Sequence, residues 1–246
     1  MILNIIKALL KFNIRQLRLK FFFCPVCLKK RILIKINSSK GGMRCTWCLA
    51  GIATISICEV INKIITKSQI NSVYELSSRG PLVKYLLKNF TNIVLSEYFP
   101  DKPLGNTVND IRNENVEKLT FENLTFDLIT STEVFEHVHD DIQGFKEVYR
   151  ILNHSGYFIF TVPLNYQINK TIVRSVIKDG KLVHLRDQKF HNDNITGKNS
   201  VLVMREYGLD ILEKLRNIGF TNVIHKRIGI NGEYYGFSNS VISAQK

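Results

Sequence analysis

Two Cys-x-x-Cys pairs, Cys24-Pro25-Val26-Cys27 and Cys45-Thr46-Trp47-Cys48, constrain this chain more than any other feature. Seventeen residues separate Cys27 from Cys45, the spacing of a four-thiolate zinc ribbon, in which each pair brings two sulfurs to one face of a tight turn. The stretch between the pairs is long enough for a hairpin, and Gly41-Gly42 supplies turn residues before the second pair. A thiol–disulfide redox motif needs one such pair, not two at ribbon distance. Four protein thiolates leave no coordination position open, so the expected Zn2+ on Cys24, Cys27, Cys45 and Cys48 is structural. Cys58, the fifth cysteine, reads as a small buried hydrophobe. Reduced thiols in a metal site point to the cytoplasm.

Charge is distributed as unevenly as cysteine. The chain has 246 residues and a formal net charge of +13, yet no Asp or Glu precedes Glu59, while residues 1–58 carry eleven Lys and Arg. The rest is close to neutral, so the charge does not mark the whole protein as a nucleic-acid binder. Lys29, Lys30, Arg31 and Arg44 are placed to offset the negative charge of a tetrathiolate zinc site. Residues 1–22 read as a basic amphipathic helix. Ile2, Ile5, Ile6, Leu9 and Leu10 fall at helical spacing, with Lys7, Lys11, Arg15 and Arg18 opposite. Residues 1–44 thereby offer an anionic partner a surface, either membrane or nucleic acid; the same helix packed on its own protein is the other reading. Lysines and arginines interrupt every apolar run there, which argues against a transmembrane segment and a secretory signal. The location is cytoplasmic, with the membrane periphery as the second place.

Residues 23–50 form the expected ribbon, and 51–70 have the composition of a linker helix. From about residue 71 to 246, short β-branched runs alternate with helical segments, the sign of a parallel α/β sheet. Strands are expected at Val73 to Leu76, Asn92 to Ser96, Phe126 to Thr130 and Tyr157 to Val162. Helices are expected from Pro81 to Asn89, Asp141 to Leu152 and Arg205 to Ile218, the last stopped by Gly219. Residues 221–228 and 235–244 suit a terminal antiparallel pair, and 164–200 form an insertion of lid length.

Several of these pieces together resemble the class I S-adenosylmethionine-dependent methyltransferases over residues 70–244. They are Val73-Tyr74-Glu75-Leu76-Ser77-Ser78-Arg79-Gly80-Pro81, Ser96-Glu97-Tyr98-Phe99, Asn115, Phe126-Asp127-Leu128-Ile129, Glu133-Val134-Phe135-Glu136-His137-Val138, and Glu147 to Tyr157. The resemblance implies a Rossmann-like α/β sheet behind an N-terminal zinc ribbon, with S-adenosylmethionine as cofactor. His184-Leu185, Phe190-His191 and Tyr207-Gly208-Leu209-Asp210 are similar to a subgroup in which a cysteine-rich segment precedes the catalytic domain. That likeness implies a small-molecule or glycan-linked acceptor.

Ligands of doubly wound sheets bind beyond the carboxyl ends of the strands. The turn Ser77 to Gly80 opens a helix whose free N–H groups suit the cofactor carboxylate, with Arg79 as its charge partner. Glu97 ends the second strand, where one carboxylate can hold both ribose hydroxyls, and Asn115 stands where the family contacts adenine. Glu75, Ser77 and Glu133 complete the implied cofactor set. Only Gly80 remains of the family's glycine-rich turn, so a variant site and a degenerate, non-catalytic one both remain open.

His137 follows the fourth strand, where acceptors meet the methyl group, and His184 and His191 lie in the insertion; these three are the candidate catalytic residues. Cys58, His137 and His139 show no metal-ligand spacing. The leading expectation is methyl transfer to oxygen or nitrogen. RNA methylation is the alternative enzyme, but no Asn-Pro-Pro-Tyr-type motif is present.

Overall fold

The computed structural model describes residues 16–38, 42–66, 68–191, 201–229 and 231–246. Most of the expected N-terminal helix, residues 1–15, lies outside them. Its expected end does not hold: Arg18–Cys24 is a strand, β1, paired antiparallel with β2 (Lys29–Lys35), which pairs in turn with β3 (Met43–Cys45). Past Leu10 the helical spacing is gone. Leu19, Phe21 and Phe23 alternate with Lys20, Phe22 and Cys24, so only a pleated strand puts Cys24 inside and Phe21 outside.

Helix α1 (Ile52–Ile65) follows the ribbon and buries Ile52, Ile55, Ile57, Cys58 and Ile61. One buried cluster runs from Cys24, Val26, Leu33 and Met43 through α1 to Val73, Ile159 and Val241 of the large sheet. Packing therefore crosses residues 50 and 70 without a break. Asn62 of α1 donates to Pro25 O at 2.9 Å and accepts from the Tyr85 hydroxyl at 2.6 Å, joining the ribbon to the helix Pro81–Asn89.

The large sheet takes β4 (Val73–Glu75), β5 (Ile93–Glu97), β6 (Thr107–Val108), β7 (Ile111–Asn113), β8 (Phe126–Thr132), β9 (Leu152–Thr161), β16 (Thr221–Ile228) and β17 (Asn239–Gln245). Their spatial order is β16-β17-β9-β8-β4-β5-β7-β6. β7, β5, β4, β8 and β9 run parallel, while β17 is antiparallel to β9. The chain moves outward from β4 in both directions, so strand order reverses between β4 and β8. This is the Rossmann-like sheet of the class I methyltransferases, doubly wound with an antiparallel edge.

The period of two along the strands sorts the core into two layers. Val73, Leu128, Ile159 and Val241 face α1 and α2 (Pro81–Asn89). Tyr74, Ile129, Phe158, Phe160 and Ile242 face α3 (Asp141–Ile151) and α4 (Ile211–Ile218), where Phe135, Phe145, Phe158 and Phe160 stack. Asp140 caps α3 by accepting from Gln143 N at 3.0 Å.

The segment after β9 folds as short antiparallel pairs: β10 (Ile172–Val173) with β15 (Arg205–Glu206), β11 (Ser175–Lys178) with β12 (Lys181–His184), and β13 (Phe190–His191) with β14 (Val201–Leu202). The last helix starts at Ile211 rather than Arg205. Arg205 and Tyr207 are buried, and both reach across to the loop after β8, which holds this stretch extended.

Candidate functional site

Because the central strands are parallel, Glu75, Glu97, Thr132 and Thr161 all finish on the same edge of the sheet. β4 turns through Leu76 to Gly80 into α2. Gly80, the residue before α2, has φ 101° and ψ 178°, a backbone shape open to glycine alone. Nothing lies within 4 Å of where its Cβ would stand. The first turn of α2 carries Pro81 and neither an acidic residue nor a side-chain cap, so its N–H groups face outward as donors.

Glu97 ties the turn to β5. Its Oε1 accepts from Ser78 N at 3.0 Å and Ser78 Oγ at 2.8 Å. The serines thus do part of what glycines do elsewhere: they bring the turn against the carboxylate. Glu75 lies beneath, 1% exposed, accepting from Ser77 Oγ at 3.1 Å and from Thr130 Oγ1. Burial pushes its carboxyl up to about 8, against the pull of those two donors and with added repulsion from Glu97.

Two cavities open on this edge. The smaller, about 190 Å³, is lined among others by Leu76, Glu97, Tyr98, Asn115, Val134 and His137. The Asn115 side chain is occupied within its own turn, accepting from Glu117 N at 2.9 Å. Glu75, Ser77, Arg79, Gly80 and Glu133 stand outside this wall; Glu133 holds φ 55° directly after β8 and donates its N–H to Thr161 O. The larger cavity, about 670 Å³, lies beyond β9 and is lined by Glu136, Tyr166, Lys189, His191, Arg227 and the segment Gly236 to Ser240.

Glu136, His137 and His191 meet where the two cavities approach each other. Glu136 Oε1 lies 3.7 Å from His137 Nε2 and 3.6 Å from His191 Nδ1, and the two imidazole rings meet edge to face. Glu136 raises the basicity of His191 above its ordinary value, against the opposing effect of burial. The loop carrying Glu136 is clamped from behind. Arg205, itself buried, donates to Phe135 O, Val138 O and His139 O at 2.6–3.0 Å; Tyr207 donates to Phe135 O, and Met204 N to Glu136 O. His184 is elsewhere, paired with Ser175 Oγ at 2.9 Å on the β11–β12 hairpin, apart from His137 and His191.

The sequence does not signal that Glu136 faces His191, since their meeting depends on how the insertion folds back. Arg205 and Tyr207 were equally hidden, inside a stretch of helical composition.

In the ribbon the four cysteines converge. Cys24 Sγ is 3.8 Å from Cys48 Sγ, Cys27 Sγ is 3.9 Å from Cys45 Sγ, and all four sulfurs lie within 4.8 Å of one another. The Cys24 thiol and burial push the Cys48 thiol far above its ordinary value, and burial with the Cys48 thiol raises Cys27.

The model of a methyltransferase domain matches residues 77–214, just over half of the chain, a span that includes Glu97, Asn115, Glu136, His137 and His191 but not Arg227 or Gly236 to Ser240. The chain belongs to the methyltransferase-domain family. Among solved structures, it is 16% identical to an S-adenosylmethionine-dependent methyltransferase from Mesorhizobium loti, with TM-score 0.47 over 76% of this chain and 97% of that one. It is 16% identical to one from Clostridium acetobutylicum, TM-score 0.48, covering 76% and 88%. It is 15% identical to a possible histamine N-methyltransferase from Thermotoga maritima, TM-score 0.47, covering 79% and 90%. At this distance they convey neither cofactor nor acceptor. No curated protein sequence matches the chain.

Proposed function

We propose that this methyltransferase-family chain moves a methyl group from S-adenosylmethionine to an oxygen or nitrogen of a small-molecule or glycan-linked acceptor. The observation that carries the proposal is the meeting of two cavities at Glu136, His137 and His191. The smaller suits the cofactor's nucleoside. Glu97 Oε2 accepts from the ribose while Oε1 stays on Ser78, and Asn115 lies at the adenine end. The first turn of α2 and Arg79 receive the carboxylate. Ser77 and Glu75 support the turn from below, and Glu133 borders the methyl side. The larger cavity holds the acceptor.

The cofactor supplies a methyl group on a sulfonium, a good leaving group, so the chain's own task is positioning. The acceptor lone pair forms the new bond to the methyl carbon as the carbon–sulfur bond breaks, and sulfur departs as a neutral thioether. A hydroxyl acceptor gives up its proton at the carboxylate and imidazoles of the junction. Titration with S-adenosylmethionine tests the reading: micromolar binding supports it, and no binding at millimolar concentration supports a non-catalytic module instead.

The four ribbon thiolates hold one structural zinc ion. With Zn–S bonds of ~2.3 Å a tetrahedral shell places sulfurs about 3.8 Å apart, close to the 3.8 and 3.9 Å found here. Exposed Lys29, Lys30 and Arg44 continue the basic N-terminal stretch toward an anionic surface. Binding to anionic vesicles that does not weaken with salt would refute that partner. Among the described residues no helix is long and apolar enough to cross a membrane.

A further inference from the structure

We propose that Glu136, His137 and His191 form a second metal site, one that takes a first-row divalent cation at the junction of the two cavities. Glu136 is 1% exposed, and neither of its carboxylate oxygens has a hydrogen-bond partner. A buried carboxylate without donors is costly, and such groups are found paired or on metals. The imidazole nitrogens stand at 3.6 and 3.7 Å, too far for hydrogen bonds.

The orientation of His137 points the same way. Its Nδ1 lies 2.7 Å from Leu202 O, a carbonyl that can only accept, so Nδ1 carries the proton and donates. Nε2, the other ring nitrogen, faces the Glu136 carboxylate at 3.7 Å. A cation between Glu136, Nε2 of His137 and Nδ1 of His191 takes all three donor atoms as ligands. A backbone carbonyl on the far ring nitrogen is the outer partner that metal-bound histidines usually have.

Dimensions agree. Ligand bonds of 2.0–2.2 Å put donors about 3.4 Å apart in a tetrahedral shell. Here the carboxylate oxygen is 3.6 and 3.7 Å from the nitrogens, and all three donor atoms lie within 4.8 Å of one another. Small side-chain movements complete the shell. Two imidazoles and a carboxylate suit zinc, iron or cobalt better than magnesium or calcium. Three protein ligands leave positions open, unlike the closed tetrathiolate ribbon, and Glu136 and His191 present them to the larger cavity. The loop bearing Glu136 is fixed by Arg205, Tyr207 and Met204, so the site is held before any ion arrives.

For the reaction, and resting there on the methyl-transfer reading, the three side chains serve as ligands instead of bases when the cation is bound, and an acceptor hydroxyl on the cation loses its proton to solvent more readily. Its oxygen is then held facing the smaller cavity, from which the methyl group comes. A hydroxyl acceptor is thereby favoured over an amine.

The test is metal stoichiometry of the full-length protein, loaded with Zn2+ and exchanged into metal-free buffer. Wild type should keep about two zinc ions per chain, and Glu136→Gln and His191→Ala about one each, with unchanged melting of the ribbon-bearing core. His184→Ala should keep two. Co2+ separates the sites by spectrum, since only the ribbon gives thiolate charge-transfer bands. The proposal is overturned if His191→Ala retains as much zinc as wild type, or if every bound Co2+ carries thiolate bands. S-adenosylmethionine affinity read on the same samples reports separately: two zinc ions without cofactor binding refute methyl transfer and keep the metal site, and the reverse pattern does the opposite.

Discussion

Glu75 makes the stability of this fold depend on pH in an unusual direction. The carboxyl is enclosed at the end of β4, and burial raises it from 4.5 to about 8 despite donors from Thr130 and Ser77. Below pH 4.5 folded and unfolded chains both hold the proton, so this group adds no slope. Between 4.5 and 8 the unfolded chain ionises while the folded one keeps its proton, so stability falls as pH rises. Above 8 both are ionised and the loss is complete. At 1.36 kcal/mol per pH unit the ceiling is roughly 5 kcal/mol, reduced by any water that reaches the carboxyl. Glu75→Gln keeps the shape and removes the titration. Urea midpoints of wild type and variant, taken from pH 5 to 9, should converge near pH 5 and separate toward pH 8, with the variant more stable. Comparing the two chains cancels other groups. Asp127, where burial is outweighed by hydrogen bonds from Asn153, Asn71 and Ser72, is held low and titrates in both. Parallel profiles would refute the assignment of a protonated Glu75 to the neutral-pH fold.

Other expectations follow from neighbouring features. Glu97→Ala should weaken S-adenosylmethionine binding by about 1.5–3 kcal/mol in calorimetry, the scale of a hydrogen bond to a charged group; an unchanged affinity with a lowered melting temperature would make Glu97 a tie for Ser78 only. Gly80→Ala should cost about 1–3 kcal/mol through φ alone, since the space around it is open, and its urea midpoint should fall accordingly. Cys24→Ser should lower the melting temperature of the whole chain in one transition. Cys24 belongs to the same buried cluster as α1 and the sheet, and a separate ribbon transition would show that cluster to be weaker than its packing implies.

The sheet was legible because its strands are short β-branched runs bounded by turn residues, each followed by a helix with its own start signal, such as Pro81 or Asp140. The cysteine cluster was legible because ligand spacing survives in one dimension. What could not be read depends on distant partners. Arg205 and Tyr207 sit in a helix-like run, but their side chains are spent on the loop after β8, which overrides local preference. His184 and His191 look equivalent in sequence; the hairpins of the insertion send one to Ser175 and the other to Glu136. The first strand resembles a helix in sequence because the basic residues continue past Leu10 after the apolar spacing has changed to two.

The segment from Tyr234 to Ser240 belongs to two places at once. Tyr234 packs edge-on against Phe22 of the ribbon, Tyr235 donates to Leu33 O at 3.0 Å, and Lys35 lies over the Phe237 ring. Gly236 to Ser240 then wall the larger cavity. The ribbon therefore buttresses the larger cavity, and trimming it would deform that cavity. On the methyl-transfer reading proposed above, such a truncation should raise the acceptor KM more than it weakens S-adenosylmethionine binding, because Gly236 to Ser240 line the larger cavity and not the smaller.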